Sequence, residues 1–346
     1  MQIGVVLPQT EMGGDRGALR SYAQAVEEAG YAHILAYDHV LGADPAIHSG
    51  WAGPYDHRST FHEPLVAFGF LAGVCSLELV TGIIILPQRQ TVLVAKQAAE
   101  VDLLTGGRFR FGIGLGWNAV EYEALGEEFS TRGRRVEEQI DLLRRLWTEP
   151  VVSFEGTDHT VTGAGLAPMP IQRPIPIWMG ASSEPALRRA GRLADGWIPL
   201  TGTGEGLEKA VAAVRQGAQE AGRDYETIGM EGRIGVKAGE LDAAARRAQR
   251  WEEAGATHLC VNTMGGGFEG IDAHISALAE VARVLGLKAP AASRPASGAP
   301  LSGPASGAPL SGPAGGASAS GPAGGASLSG PAGGASLSGP AGGETR

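Results

Sequence analysis

The sequence predicts an α/β chain folded as one (β/α)8 TIM barrel, followed by a low-complexity tail. Two patterns carry this. Apolar strand-like runs alternate with stretches of helical spacing eight times within residues 1–288, and no wide chemical break divides them. The chemically versatile residues fall where the apolar runs end, and in a closed barrel those ends face one common mouth.

MQIGVVLP gives the first strand. Leu19, Tyr22, Ala23, Val26 and Ala29 then share one helical face, which Gly30 closes. HILAY is the second strand. A helix over 63–74 leads to LELVTGIIILP, the third. Val92, Ala95, Ala98, Val101 and Leu104 mark the inner stripe of the next helix, ended by Gly106 and Gly107. RFRFGIGLG is the fourth strand, and Val136, Ile140, Leu143 and Trp147 lie on the inner face of its helix. An irregular piece over 150–174 contains FEGTDHTV, which reads as a small hairpin. PIPIWMG is strand five, with a helix over 186–193, and GWIPL is strand six, with a helix over 207–221. Strand seven lies within 227–236 and is followed by a helix over 241–254. THLCVN is strand eight, and Ile275, Leu278, Val281 and Leu285 mark the last helix.

Residues 1–288 therefore form the expected catalytic domain and 289–346 the tail. From Ser293 the chain repeats in nines, as in SGPAGGASL. Glycine does not fall at every third place, which excludes collagen. Gly, Pro, Ala and Ser at this density bury too little to offset the entropy of ordering, so a disordered segment is expected.

Composition narrows the function. The formal net charge is -9 and no basic stripe is laced with aromatics, so no nucleic-acid partner is expected. The sequence has neither an eighteen-residue apolar stretch nor a charged-then-apolar leader, which points away from membranes and secretion. Cys75 and Cys260 are far apart in apolar surroundings, as expected of buried thiols in a reducing, cytoplasmic compartment.

The expected mouth begins with Asp38 and His39 after strand two. An imidazole there can exchange a proton near neutral pH, and Asp38 can fix its tautomer or the local backbone; a satisfied buried histidine is the alternative. GLGWN, with Gly114, Trp117 and Asn118, reads either as backbone approaching something flat or as a plain turn before a helix. GASSEPAL places Gly180, Ala181, Ser182 and Ser183 at a helix start, which suits a phosphate but is also an ordinary cap. Residues 42–61 form a lid or pocket wall, whose Trp51, Tyr55 and Phe61, with Trp197, are expected to line an apolar substrate space. No metal is expected, since His39, His57 and His62 lack metal-ligand spacing. A serine hydrolase lacks its GxSxG elbow. The two-carboxylate reading is weak: Glu63 opens a helix, and Glu121 lies in a loop leading to one.

YDH after strand two, TGIIILPQRQTVLVAKQAAEVDLLTGGRFRFGIGLGWNAVEYEALG and PIPIWMGASSEPALRRAGRLADGWIP together resemble the bacterial luciferase-like oxidoreductases, in particular the actinobacterial branch that uses coenzyme F420. The resemblance covers residues 2–286. It implies a TIM barrel, often dimeric, with the tricyclic ring of F420, or alternatively FMN, in the mouth. It makes His39 the ring-facing proton donor or acceptor, and places Asp38, Trp117 and Asn118 beside the cofactor. A non-prolyl cis peptide falls at Gly82–Ile83 under the ring, and the amides of residues 180–183 hold the phosphate. Gln90-Thr91 replaces a histidine-proline common in relatives. F420 has an anionic tail, for which Arg89, Arg132, Arg173 and Arg188 are candidate partners. Four lysines against twenty-four arginines suit a high-GC, actinobacterial source. A separate reductase is expected to supply reduced FMN or reduced F420 if either is used. A non-catalytic ligand-binding barrel is the reading of another class.

Overall fold

The computed structural model describes residues 1–289; the expected tail lies outside the described residues from position 290 onward. The strands are β1 (Gln2–Val6), β2 (His33–Ala36), β3 (Glu78–Thr81), β4 (Ile84–Ile85), β5 (Phe109–Gly114), β6 (Val152–Glu155), β7 (Thr160–Ala164), β8 (Ile177–Ala181), β9 (Gly196–Pro199), β10 (Gly229–Gly235) and β11 (His258–Asn262). The helices are α1 (Gln9–Met12), α2 (Arg16–Glu28), α3 (Pro64–Leu71), α4 (Thr91–Thr105), α5 (Ala119–Ala124), α6 (Arg132–Thr148), α7 (Glu184–Leu193), α8 (Glu205–Glu220), α9 (Ala243–Glu253) and α10 (Gly270–Val284).

All pairings in the main sheet are parallel, and a β3–β5 pairing closes it into the expected eight-strand barrel, with β3 and β4 as two parts of one stave. The third apolar run is interrupted at Gly82–Ile83, whose peptide bond is cis as the resemblance implied. The hairpin β6–β7 reaches Ala164, beyond the expected FEGTDHTV. Two short helices, α1 and α5, were not expected.

Local chemistry sets the helix ends. Asp15 caps α2 by accepting from Gly17 N at 2.7 Å, and Glu63 caps α3 through Val66 N at 2.7 Å, with Pro64 in the first turn. Gly106 ends α4 with φ 69°, a conformation that glycine adopts without a Cβ clash. The inner face of α4 departs from the expected stripe. Val94, Ala95, Ala98, Ala99 and Val101 are buried, whereas Val92 and Leu104 are exposed. Asp102 is also buried there, accepting from Ile171 N at 2.6 Å and Gln172 N at 2.9 Å, and so fixes the approach to β8.

The main core lies between sheet and helices and includes Val5, Phe111, Met179, Trp197 and Val214. Inside the barrel, Val6, Leu35, Val80 and Cys260 pack under Tyr37. Also inside lies an ionic cluster. Arg110 donates to Glu231 at 2.7 Å and Glu78 at 3.0 Å, its guanidinium carbon stands 4.3 Å from the Trp178 ring centroid, and His33 meets Glu231 at 2.7 Å. Burial pushes the Glu231 carboxyl up, but Arg110 and His33 outweigh it and hold it well below the usual carboxylate range.

Candidate active site

His39 leaves the end of β2 into a wall of aromatic rings. Its imidazole centroid lies 4.7 Å from Phe61, 5.1 Å from Tyr55 and 5.8 Å from Trp117, while Trp51 stands 5.4 Å from Trp117. A cavity of about 320 Å³, lined by His39, Gly42, Tyr55, Phe61 and Asn118 among others, opens beside it. The 42–61 loop thus brings two of the four expected pocket aromatics, Tyr55 and Phe61, to the histidine, while Trp51 stands behind Trp117 and lines a neighbouring cavity.

Trp197 lies apart. Side chains alternate along a strand, so where Gly196 faces the barrel and abuts Trp178, Trp197 points outward into the helix layer. It is fully buried there and cannot line the mouth.

Of its two expected roles, Asp38 takes the one on the local backbone and makes no contact with the His39 ring. Its carboxylate accepts from Ile85 N at 3.1 Å and Arg89 at 2.7 Å, tying the end of β2 to the stave beside it. Burial raises its pKa, with Arg89 opposing. The group beside His39 is Glu121, fully buried on α5. Its Oε1 lies 3.4 Å from His39 Nδ1 and accepts from Val40 N at 3.0 Å and Leu41 N at 3.3 Å; Oε2 accepts from Gln88 at 3.3 Å. A carboxylate there favours a proton on Nδ1, while Nε2 has no hydrogen-bond partner among the described residues and is not sealed off. The sequence signal was present in Asn118-x-x-Glu121, a cap followed by an acid. Asn118 spends its side chain accepting from Val120 N at 3.1 Å and donating to Leu41 O at 3.3 Å. It holds the loop and has little left for a ligand.

The glycines have a different cause from the one expected. A Cβ on Gly114 would stand 2.6 Å from Ile83 Cδ1, and one on Gly180 would stand 3.1 Å from Ile83 Cγ2. The Ile83 side chain therefore lies across both strands, and it remains partly exposed as the floor of the mouth. Gly82 is glycine because a Cβ would meet Leu35 at 2.2 Å. At the end of β8, Ala181 is buried, whereas Ser182 and Ser183 are exposed. Ser183 sits at the N-cap of α7 with no side-chain cap bond, and a cavity of about 470 Å³ adjoins Ser182. A partly exposed apolar floor, free hydroxyls at a helix start and a histidine facing open space fit a flat ring with an anionic arm.

The expected tail-binding arginines are otherwise engaged. Arg89 pairs with Asp38 and Glu63, Arg188 with Glu220, and Arg132 lies 3.6 Å from the Phe129 centroid; Arg173 donates to Pro170 O at 3.0 Å. His33, Glu231 and Cys260, inside the barrel, are the group among the described residues close enough to share an ion. They hydrogen-bond one another, and Arg110 already balances Glu231. No helix among the described residues is long and apolar enough to cross a membrane.

Fold and mouth together define a (β/α)8 barrel with an imidazole, a buried carboxylate and a cavity at the C-terminal ends of its strands. The model of the family described as luciferase-like monooxygenase matches residues 1–300, and the chain belongs to that family. It is 32% identical over 252 residues to the F420-dependent hydroxymycolic acid dehydrogenase of Mycobacterium tuberculosis, covering 72% of this chain and 66% of that protein. It is 31% identical over 258 residues to the FMNH(2)-dependent dimethylsulfone monooxygenase of Pseudomonas fluorescens, again covering 72% and 66%. Against uncharacterized mycobacterial relatives at 38% identity, the chain spans about half their length, 47%. An F420-dependent secondary alcohol dehydrogenase, solved in complex with an F420-acetone adduct, shares the fold, with TM-score 0.66 and 17% identity over 82% of this chain and 98% of that one.

Proposed function

We propose that this protein is an oxidoreductase that moves a hydride between coenzyme F420 and a small organic substrate, with His39 exchanging the accompanying proton. The observation that carries this reading is His39 itself, with Nδ1 beside buried Glu121, Nε2 without a hydrogen-bond partner among the described residues, and a wall of Tyr55, Phe61 and Trp117. Relatives named as F420-dependent dehydrogenases support it.

Bound F420 supplies two-electron hydride chemistry at its C5. The protein's part is placement and proton transfer. Ile83 supports the ring from below, while the amides at 180–183 and the hydroxyls of Ser182 and Ser183 hold the phosphate. The aromatic wall excludes water from the reacting carbon. His39 takes the hydroxyl proton as a substrate C–H gives up hydride, or returns it in the reverse direction.

FMN is the second reading, since an FMNH(2)-dependent monooxygenase is as similar to the chain as the F420-dependent relatives are. Reduced FMN would come from a separate reductase and would react with oxygen, which a deazaflavin does not do in that manner. The test is a panel of secondary alcohols and activated alkenes or imines with oxidised or reduced F420, run beside oxygen uptake with reduced FMN. Ring absorbance changes with F420, abolished about 10²-fold or more in His39→Ala with cofactor affinity kept within about twofold, support the proposal. Oxygen uptake with FMN alone transfers the site to the second reading. Unchanged turnover in His39→Ala removes the histidine from the chemistry.

A further inference from the structure

We propose that the substrate carries an uncharged hydrocarbon arm, and that this arm lies on a shelf made by Trp51 and Trp117 beside the mouth. The proposal rests on the redox reading above and names the substrate class of that same site: a secondary alcohol with a linear alkyl chain, or the ketone formed from it.

A cavity of about 560 Å³ opens on the 42–61 loop, lined by Trp51, Ala52, Gly53, Pro54 and Trp117 among others, with no Asp, Glu, Lys or Arg in its wall. The two indoles stand 5.4 Å apart between ring centroids and are inclined at 49°. Trp117 is 41% exposed, whereas Trp147, Trp178, Trp197 and Trp251 are buried. An indole left this open forfeits the burial of one of the largest apolar side chains, which is informative where other apolar groups gather with it. Val40, Leu41 and Ile47, on the segment that leads to the shelf, are exposed too. The rings are held in place. Trp51 Nε1 donates to Tyr55 O at 3.1 Å, so its one polar group is engaged within the loop. A Cβ on Gly53 would stand 2.3 Å from Trp117 and 2.8 Å from Trp51, so the loop backbone packs directly against both indoles. What remains facing outward is carbon surface. Inclined faces suit a flexible chain of methylenes, which can touch both, better than a flat ring, which can stack on one.

Placement joins the shelf to the chemistry. Trp117 belongs to both, since its centroid lies 5.8 Å from the His39 imidazole and 5.4 Å from Trp51. Tyr55, 5.1 Å from His39, is tied through its carbonyl to Trp51. A substrate whose carbinol carbon sits at His39 therefore runs its chain over Trp117 and onto Trp51. That carbon gives its hydride to F420, the hydroxyl proton goes to His39, and the ketone so formed keeps the same chain on the same shelf. Contact along the chain, away from the reacting atoms, holds the carbinol in position for the transfer.

The test titrates the cofactor-free full chain with 2-butanone, 2-hexanone, 2-octanone and 2-decanone, following tryptophan emission, in wild type, Trp51→Ala, Trp51→Phe and Trp117→Ala. Because the other four tryptophans are buried, a blue shift on binding reports the shelf pair. Affinity is expected to rise about two- to fourfold for each added methylene. Trp51→Ala should flatten that rise and weaken 2-decanone about tenfold or more, while Trp51→Phe, which keeps an apolar ring, retains most of it. Affinity independent of chain length, or a rise with length that both alanine variants keep, overturns the shelf. A change of sedimentation in either alanine variant assigns the rings to a contact between copies and overturns it as well. The matching 2-alcohols are then supplied with F420, where kcat/KM should climb with chain length in wild type and lose that climb in Trp51→Ala. Affinity that follows chain length and both tryptophans, with no absorbance change in F420 and no oxygen uptake with FMN, keeps the apolar arm and removes the redox reading instead.

Discussion

Glu121 shows how much one buried acid can organise. Two backbone N–H groups, one amide side chain and His39 converge on it. Glu121→Ala strands these donors without an acceptor, at about 1–3 kcal/mol for each one left unsatisfied. Denaturant unfolding should show that loss, and turnover should fall with it, whereas Glu121→Gln keeps an acceptor and should lose less of both. Trp197 tests the mouth from the other side. Trp197→Ala is expected to cost about 3–5 kcal/mol in stability and to leave KM unchanged in what folds, while Tyr55→Ala should raise KM with a smaller stability change. The aromatics of the lid were legible from composition and position, because a Gly/Pro-rich loop with three large rings has few other uses. Trp197 was not. Its neighbours in GWIP are all apolar, so nothing in the sequence says which way the alternation points.

At the scale of elements, the alternation of eight apolar runs with helical stripes read directly as the barrel, because both periods are set by backbone geometry. The ionic layer inside it was not legible. His33, Glu78, Arg110 and Glu231 come from four strands with no spacing relation, and only their fall at inward positions of apolar strands marked them. Arg110→Met should cost about 3–5 kcal/mol, since it leaves the Glu231 charge buried beside His33 alone. The neighbouring His258 gives a pH signature. Burial first, and then Arg110, push its pKa down to about 3. The unfolded chain binds that proton more readily, so His258 contributes stability that is complete above about pH 6.5 and lost as pH falls toward 3. Glu231, also depressed, adds a loss in the same direction below about pH 4.5, the ordinary glutamate range. Stability against unfolding, measured between pH 7 and 5, should therefore fall with acid, and His258→Asn should flatten that decline. A decline of the same slope in the variant contradicts the assignment.

At the scale of the whole molecule, Val66, Val92, Leu93 and Leu104 are exposed apolar side chains on α3 and α4, interrupted by the Lys96–Glu100 pair. A homodimer, as the resemblance implies, would cover them. Sedimentation should give a dimer for wild type and a monomer for Val66→Glu/Leu93→Glu, and a wild-type monomer contradicts the pairing. The central claim is that a tricyclic redox ring seats on Ile83 beside His39, with its phosphate at the start of α7. The most direct measurement is a titration of the purified full chain with F420 and with FMN, following ring fluorescence. Saturable binding of one of them at micromolar concentrations, weakened about tenfold by Ser182→Asp, is the expected result. Binding of neither on the order of tens of micromolar contradicts the claim and leaves a barrel that holds some other small ligand.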